Sequence, residues 1–356
     1  MTGPTSVLDR VPGARRYWYA GGGLLLLAWP LVFGPFWARI GLGALMWIGL
    51  AQSWNMIGGY AGYLDFGHGA YFGIGAFAAG IAMAQFGYPF LVGFALAAVV
   101  ATAVATVVAI PTLRLTGAYF AIATWAFAEA IKQTALVTGI TGGTFGLSLP
   151  RSPDSFVGIA APFPISEAFF YYAMLTLCVG TMVLTYVLFE RREFGFRVKA
   201  LRDDQDAAES LGIDTTRVKR QVYVLSCVVA ALFGAVHAWY IVYIHPNDVL
   251  APIITDRMVI MALLGGLGTL TGPVAGGLLV FLLERLSSVF LGSSTFYLPL
   301  IGTLIMLTVL FAPSGVIGIL RGEVDATDLR ANVRSLRQRF DLACPTQPPH
   351  PPHSLN

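Results

Sequence analysis

The stretch that decides the fold is PFLVGFALAAVVATAVATVVAI, Pro89 to Ile110, twenty-two residues without a single charge. An α-helix needs roughly 20 apolar residues to cross about 30 Å of hydrocarbon. Working outward, further apolar segments fall at 18–37, 40–58, 66–86, 116–137, 167–189, 221–243, 256–267, 273–291 and 295–312. The eighth of these ten, 256–267, is too short to span unaided. Hydrophobic residues make up 56% of the 356-residue chain and charged residues 12%, against about 25% charged in a soluble domain. A mean hydropathy of +0.71 excludes a single apolar core with a polar skin. The expected class is all-α: a polytopic transmembrane helix bundle of about ten spans (eight to ten), with glycine-rich broken helices.

Charge placement orients it. Sixteen of the 22 basic residues lie in three regions. These are 1–16 (Arg10, Arg15, Arg16), 190–220 (eight Lys and Arg) and the tail after Pro313 (Arg321, Arg330, Arg334, Arg337, Arg339). The positive-inside rule assigns all three to the cytoplasm. Six spans separate the first two and four the last two, both even as they must be. Loops 138–166, with Arg151 alone, and 244–255, with no Lys or Arg, then lie outside. The chain divides into a cytoplasmic N-terminal segment 1–17, a membrane domain 18–320 and a cytoplasmic tail 321–356. That tail is Pro-rich and expected to be disordered beyond about Phe340. Arg15 and Arg16 before Gly21–Phe33 resemble a signal peptide. The apolar run continues to Trp37 with no small-x-small cleavage site, so it reads as a retained first span.

Forty glycines punctuate the spans. GGYAGYLDFGHG at 58–69 and GGLGTLTGP at 265–273 sit at segment junctions, one in each half. Such pairs suggest an internal repeat with broken helices near a translocation path; tightly packed short loops fit equally. Candidate path-lining residues are Gly62, Asp65, Phe66, Gly67, His68, Tyr119, Thr124, Gly265, Gly266 and Gly268. Asp65 and His68 either touch solute or cap a helix start. Gly69, Gly73 and Gly80 on one side of the third span, and Gly272 and Gly276 in the ninth, suit close helix packing. Glu129 and Lys132, three apart, suit a local ion pair. Glu284 with Arg285 suits a subunit contact.

Absences narrow the class. The only lysines are Lys132, Lys199 and Lys219, none after glycine, so there is no phosphate-binding Gly-x-x-x-x-Gly-Lys loop and no ATP site of that kind. No catalytic constellation, metal-ligand spacing or disulfide framework stands out. The expectation is a non-enzyme with no metal or cofactor of its own and no nucleic-acid partner.

The segment ERREFGFRVKALRDDQDAAESLGIDTTRVKR, 190–220, is amphipathic and helical in pattern, with Asp203, Asp204 and Asp206 suited to a helix start and Gly212 to a stop. FGFR at 194–197, KALRD at 199–203 and DAAESLGI at 206–213 resemble the coupling loop of branched-chain amino acid ABC permeases of the LivM type. GYAGYLDFGHGAYF at 59–72, LTGAYFAIAT at 115–124, TGGT at 141–144 through Gly146-Leu147, LGGLGT at 264–269 and GPVAG at 272–276 are similar to that family's other signatures. The resemblance covers about 40–320.

It implies that the loop docks on an ATPase through Gly195, Arg197, Ala200, Arg202, Asp203, Ala207, Ala208, Leu211, Gly212 and Ile213. It also implies a second permease of the LivH type, two ATPases of the LivG and LivF types that hold the ATP, a periplasmic binding protein that supplies most of the selectivity, and a bacterial inner-membrane location. Movement of 195–213 as the ATPases close would switch the permeases between inward- and outward-open states. The family usually carries a small residue such as Ser near position 65. Asp65 departs from that and leaves the solute open among branched-chain amino acids, other amino acids, urea and short amides. A stand-alone channel or secondary transporter is the alternative; it needs no docking helix in 195–213.

Overall fold

A computed structural model describes residues 14–150 and 166–290 and the isolated positions 299, 302, 303 and 306. The predicted span 295–312 lies almost wholly outside the described residues, as do the basic regions at the two termini except Ala14 to Arg16. The described chain is helical. In order come α1 (Ala14–Asn55), α2 (His68–Ala84), α3 (Phe90–Thr112), α4 (Ala118–Val137), β1 (Leu147–Ser148), α5 (Glu167–Thr185), α6 (Glu193–Asp203), α7 (Gln205–Ser210), α8 (Thr215–Ile241), β2 (Tyr243–Ile244), α9 (Pro246–Val249), α10 (Pro252–Gly265) and α11 (Gly272–Phe290). Four stretches among the described residues are long and apolar enough to cross a membrane by themselves: Leu26–Tyr60, Phe90–Thr112, Glu167–Arg191 and Thr215–Ile241. The chain is a multi-pass membrane protein.

The first two predicted spans are joined differently from the expectation. The break falls inside α1 at Gly34 (φ 79°, ψ −179°), followed by Pro35, and not at 38–39. Only glycine takes that backbone conformation readily, and proline suits the first turn of the helix that follows. The chain folds back there. The Tyr171 hydroxyl donates to Leu26 O at 2.9 Å, while its ring edge lies against Gly41. In a straight helix those fifteen residues would put Leu26 and Gly41 about 22 Å apart.

Two helices form the centre. The faces of α2 and α8 meet backbone to backbone. A Cβ on Gly75 would collide with Ala231 O, and one on Gly234 with Phe72 O. Lipid provides no hydrophobic drive between helices, so close contact of this kind holds the bundle. On the other side of α2, Gly69, Gly73 and Gly80 receive Thr255, Leu250 and Ile244 in succession, the packing face read from their spacing. The outer helix α3 buries Ala97, Ala101, Ala105 and Ala109 every fourth residue and exposes Val99, Val107 and Ile110. It is therefore apolar all round, as a lipid-facing span must be.

The loops gather at two ends, alternating along the chain. At one end, called here the coupling end, Asn55 reaches Thr269 and Arg202 reaches Gly59. There Gly62, Thr116 and Asp203 line one hollow. At the opposite, outer end Gln85 donates to Ile140 O. The antiparallel pairs Leu147↔Ile244 and Ser148↔Tyr243 join the two loops read as external. The short eighth segment is α10, fourteen residues or about 21 Å, which stops at Gly265 and leads through a turn to α11.

Candidate functional site

The first glycine junction is a knot of polar groups in an apolar surround. The end of α1 winds into a π-helical turn, Met56–Tyr60, a feature common at functional sites. The Trp54 indole donates to Asp65 O at 2.7 Å. Asp65 Oδ1 accepts from Gly67 N at 2.8 Å, just ahead of α2, and its Oδ2 lies 3.1 Å from His68 Nδ1. His68 Nε2 is 3.2 Å from Ser53 Oγ, which itself donates to Leu50 O. All of these side chains are buried. Asp65 thus folds the turn ahead of α2 without capping the helix, whose N-cap residue Gly67 offers no side-chain cap, and it pairs with His68, the residue that opens α2. Cys227 adds a thiol, so that ligand-type atoms of Asp65, His68 and Cys227 lie within 4.8 Å of one another. Both carboxylate oxygens are already engaged by Gly67 and His68.

The second junction is held to the first by Asn55. Its amide donates to Thr269 O at 3.0 Å, and its carbonyl accepts from Gly268 N at 2.9 Å. A Cβ on Gly59 would collide with Gly268 N, and one on Gly265 with Gly272 O. The junctions thus touch through bare backbone.

Into this contact reaches Arg202 from α6. Its Nη1 donates to Gly59 O at 2.9 Å. Its stem lies over Gly62, 3.0 Å from where a Cβ would sit, and Nη1 lies 2.6 Å from the corresponding point on Gly268. One side chain of the amphipathic segment therefore contacts both glycine junctions. The segment has a second anchor at the end of α5, which also finishes in a π-helical turn, Tyr186–Arg191. Gly195 lies so close to Phe189 O that any side chain would collide. Tyr60 packs its ring, tilted by 45°, against Phe189 with centroids 4.9 Å apart and donates to Glu190 at 2.9 Å.

The rest of the segment is two helices. Asp204 breaks them and caps α7, accepting from Asp206 N and Ala207 N. Gly212 ends the turn at φ 81°, a left-handed conformation that favours glycine. Ala208 is buried, Ala200 and Ile213 are half-buried, and Arg197, Asp203 and Ala207 are exposed. Phe196 and Leu211 are 71% and 80% exposed, apolar side chains left on the outer face of an amphipathic pair. The Thr215 hydroxyl and Gln205 amide hold the Glu209 carboxyl below its ordinary value.

The path candidates separate. Gly67 is pressed on the Thr124 backbone, Thr124 is buried and donates to Ala121 O, and Phe66 N donates to Thr124 Oγ1 at 3.2 Å. Gly265 and Gly266 are buried. Tyr119 stands apart, 73% exposed on α4. Glu129 and Lys132 form the expected local pair at 2.9 Å. Glu284 pairs with Arg257 at 3.2 Å and not with its neighbour Arg285. Sequence reasoning missed Asn55, which bonds Thr269 O and Gly268 N, and Lys219, which donates to Gln205 at 2.6 Å and lies 5.0 Å over Tyr63. The cluster of Gln52, Ser53 and Asn55 within an apolar run was the available signal for Asn55.

The model of the branched-chain amino acid transport system permease component matches residues 39–311. The chain belongs to that family. It is 25% identical over 351 residues to the high-affinity branched-chain amino acid permease LivM of Salmonella typhimurium, covering 91% of this chain and 80% of that one. LivH of Escherichia coli K12 is 30% identical over 156 residues, 44% of this chain and 46% of its own. The fructose import permease FrcC of Rhizobium meliloti is 32% identical over 122 residues, 33% of this chain and 34% of its own. No solved structure matches. The family's permease components are transport subunits, and this membrane protein is one of them.

Proposed function

We propose that this chain is one of two permease subunits of an importer in the bacterial inner membrane, driven by ATP hydrolysis on separate subunits. Its solutes are branched-chain amino acids or close relatives, delivered by a periplasmic binding protein. The partners are a second permease related to LivH and two ABC ATPases. The chain crosses the membrane ten times with both termini in the cytoplasm, which puts the coupling end on the ATPase side. It carries no catalytic step itself.

The observation that supports this reading best is Arg202. A displacement of α6 and α7 by a closing ATPase would be felt at once by Gly59 in one half of the chain and Gly268 in the other. Ala200, Ala207, Gly212 and the exposed Phe196 and Leu211 form the docking face. A stand-alone channel has no use for such a face.

Co-expression with the neighbouring transport genes and purification in detergent tests the reading. An ATPase retained on the chain, and lost on Phe196→Ser with Leu211→Ser, supports it; a chain that purifies without any ATPase refutes it. Uptake competition with leucine, urea and short amides, using the cognate binding protein, then fixes the solute class.

A further inference from the structure

At the outer end the helices part around a cavity of about 450 Å³, within the ordinary range of ligand pockets, about 300–1,000 Å³. It lies between α1 beyond its reversal, α2, α8, α9, α10 and α11. Its wall has two kinds of surface. One is apolar and includes Leu42, Met46, Phe72, Val249, Ile254 and Phe281. The other carries both signs of charge: Arg39, Arg257 and Arg285 against Asp248 and Glu284.

Charged side chains within membrane spans are costly, and they characteristically face a cavity and mark a solute path. Arg257 and Glu284 are paired at 3.2 Å with side chains 21% and 22% exposed, and Arg257 also lies 5.3 Å over Trp47. Arg285, over the Phe281 ring at 5.3 Å, and Asp248, in the first turn of α9, each add a further charge to the lining.

We propose that this cavity is an outward-facing acceptor subsite within this one subunit for a zwitterionic α-amino acid with an apolar side chain. An arginine takes the carboxylate, Asp248 or Glu284 takes the ammonium, and the apolar wall takes the side chain. A neutral solute such as urea offers nothing to either sign of charge and leaves the apolar wall wet, and a carboxylate without an ammonium engages only the arginines. The inference rests on the importer reading and adds where, on this chain, the solute is received from the binding protein.

The test uses the whole importer, purified with its partner subunits in nanodiscs and without binding protein. Radiolabelled leucine is the probe; leucinamide, 4-methylpentanoate and urea compete. Leucine is expected to bind and to be displaced at least tenfold better by unlabelled leucine than by any of the three. Asp248→Asn and Glu284→Gln should each weaken leucine binding at least tenfold. Arg285→Gln, on the exposed rim where folding is not at stake, should weaken it severalfold.

Absence of leucine binding, or binding that all three variants leave unchanged, overturns the subsite, even in an importer that still takes up leucine with its binding protein. An importer that takes up no amino acid with any binding protein, yet imports another solute, overturns the importer's substrate class instead.

Discussion

At the coupling end, backbone rests on backbone. Gly59 admits no side chain against Gly268, nor Gly265 against Gly272, and Asn55 and Arg202 bond directly to main-chain atoms. At the outer end the same α1, α10 and α11 border a cavity of about 450 Å³, with charged side chains paired in its wall. Close-packed interiors transmit displacement because they have no slack; an open cavity can change occupant without disturbing the frame. The same helices thus combine a rigid end, suited to receiving a push, with a compliant end, suited to receiving a solute.

This contrast can be broken by substitutions graded by expected damage. The largest effect is expected from Gly59→Leu, which drives a side chain into Asn55 and the Gly268 backbone. The chain should disappear from the membrane fraction, whereas Leu42→Phe at the cavity should leave its abundance near normal. Equal losses for both would erase the distinction between the ends.

Next comes Asp65→Ala, which strips the buried partner from His68. Leaving a buried polar atom without its hydrogen-bond partner costs about 1–3 kcal/mol, so the melting temperature in detergent should fall by a few degrees. Replacing Arg257 and Glu284 together by methionines should cost far less, because both charges leave at once.

Arg202→Ala removes a charged donor from Gly59 O, worth about 1.5–3 kcal/mol. Uptake should fall about tenfold or more while insertion persists; unchanged uptake would deny Arg202 a role in coupling. Phe196→Ser with Leu211→Ser should alter the chain's own stability by no more than about 0.5 kcal/mol while releasing the ATPase. The smallest effect is expected from Glu129→Gln, since a part-exposed helical pair contributes about 0–1 kcal/mol.

Particular residues show how far the sequence could be read. The glycine spacing of α2 marked the face that receives Thr255, Leu250 and Ile244, because close packing needs small residues at helical intervals. It did not mark Gly75, whose partner is a main-chain oxygen of α8 more than 150 residues away. Asp203, Asp204 and Asp206 were legible as a helix start and Gly212 as a stop; Asp204 is the cap of α7, while Asp203 ends α6, a choice made within a few residues of chain. The reversal at Gly34 was displaced to 38–39 because apolarity runs unbroken through Gly34-Pro35 and only backbone geometry marks the turn.

By itself the sequence determined a membrane-spanning helical bundle and the amphipathic segment that stands between two of its apolar runs. These follow from the length of apolar runs and the distribution of charge, which are local or additive properties. Only the tertiary structure decided that the two glycine junctions touch, that Arg202 reaches both, and that Glu284 pairs with Arg257 in the wall of a cavity. Those are contacts between residues distant in the chain, fixed by how close two backbones approach, and no local pattern encodes that distance.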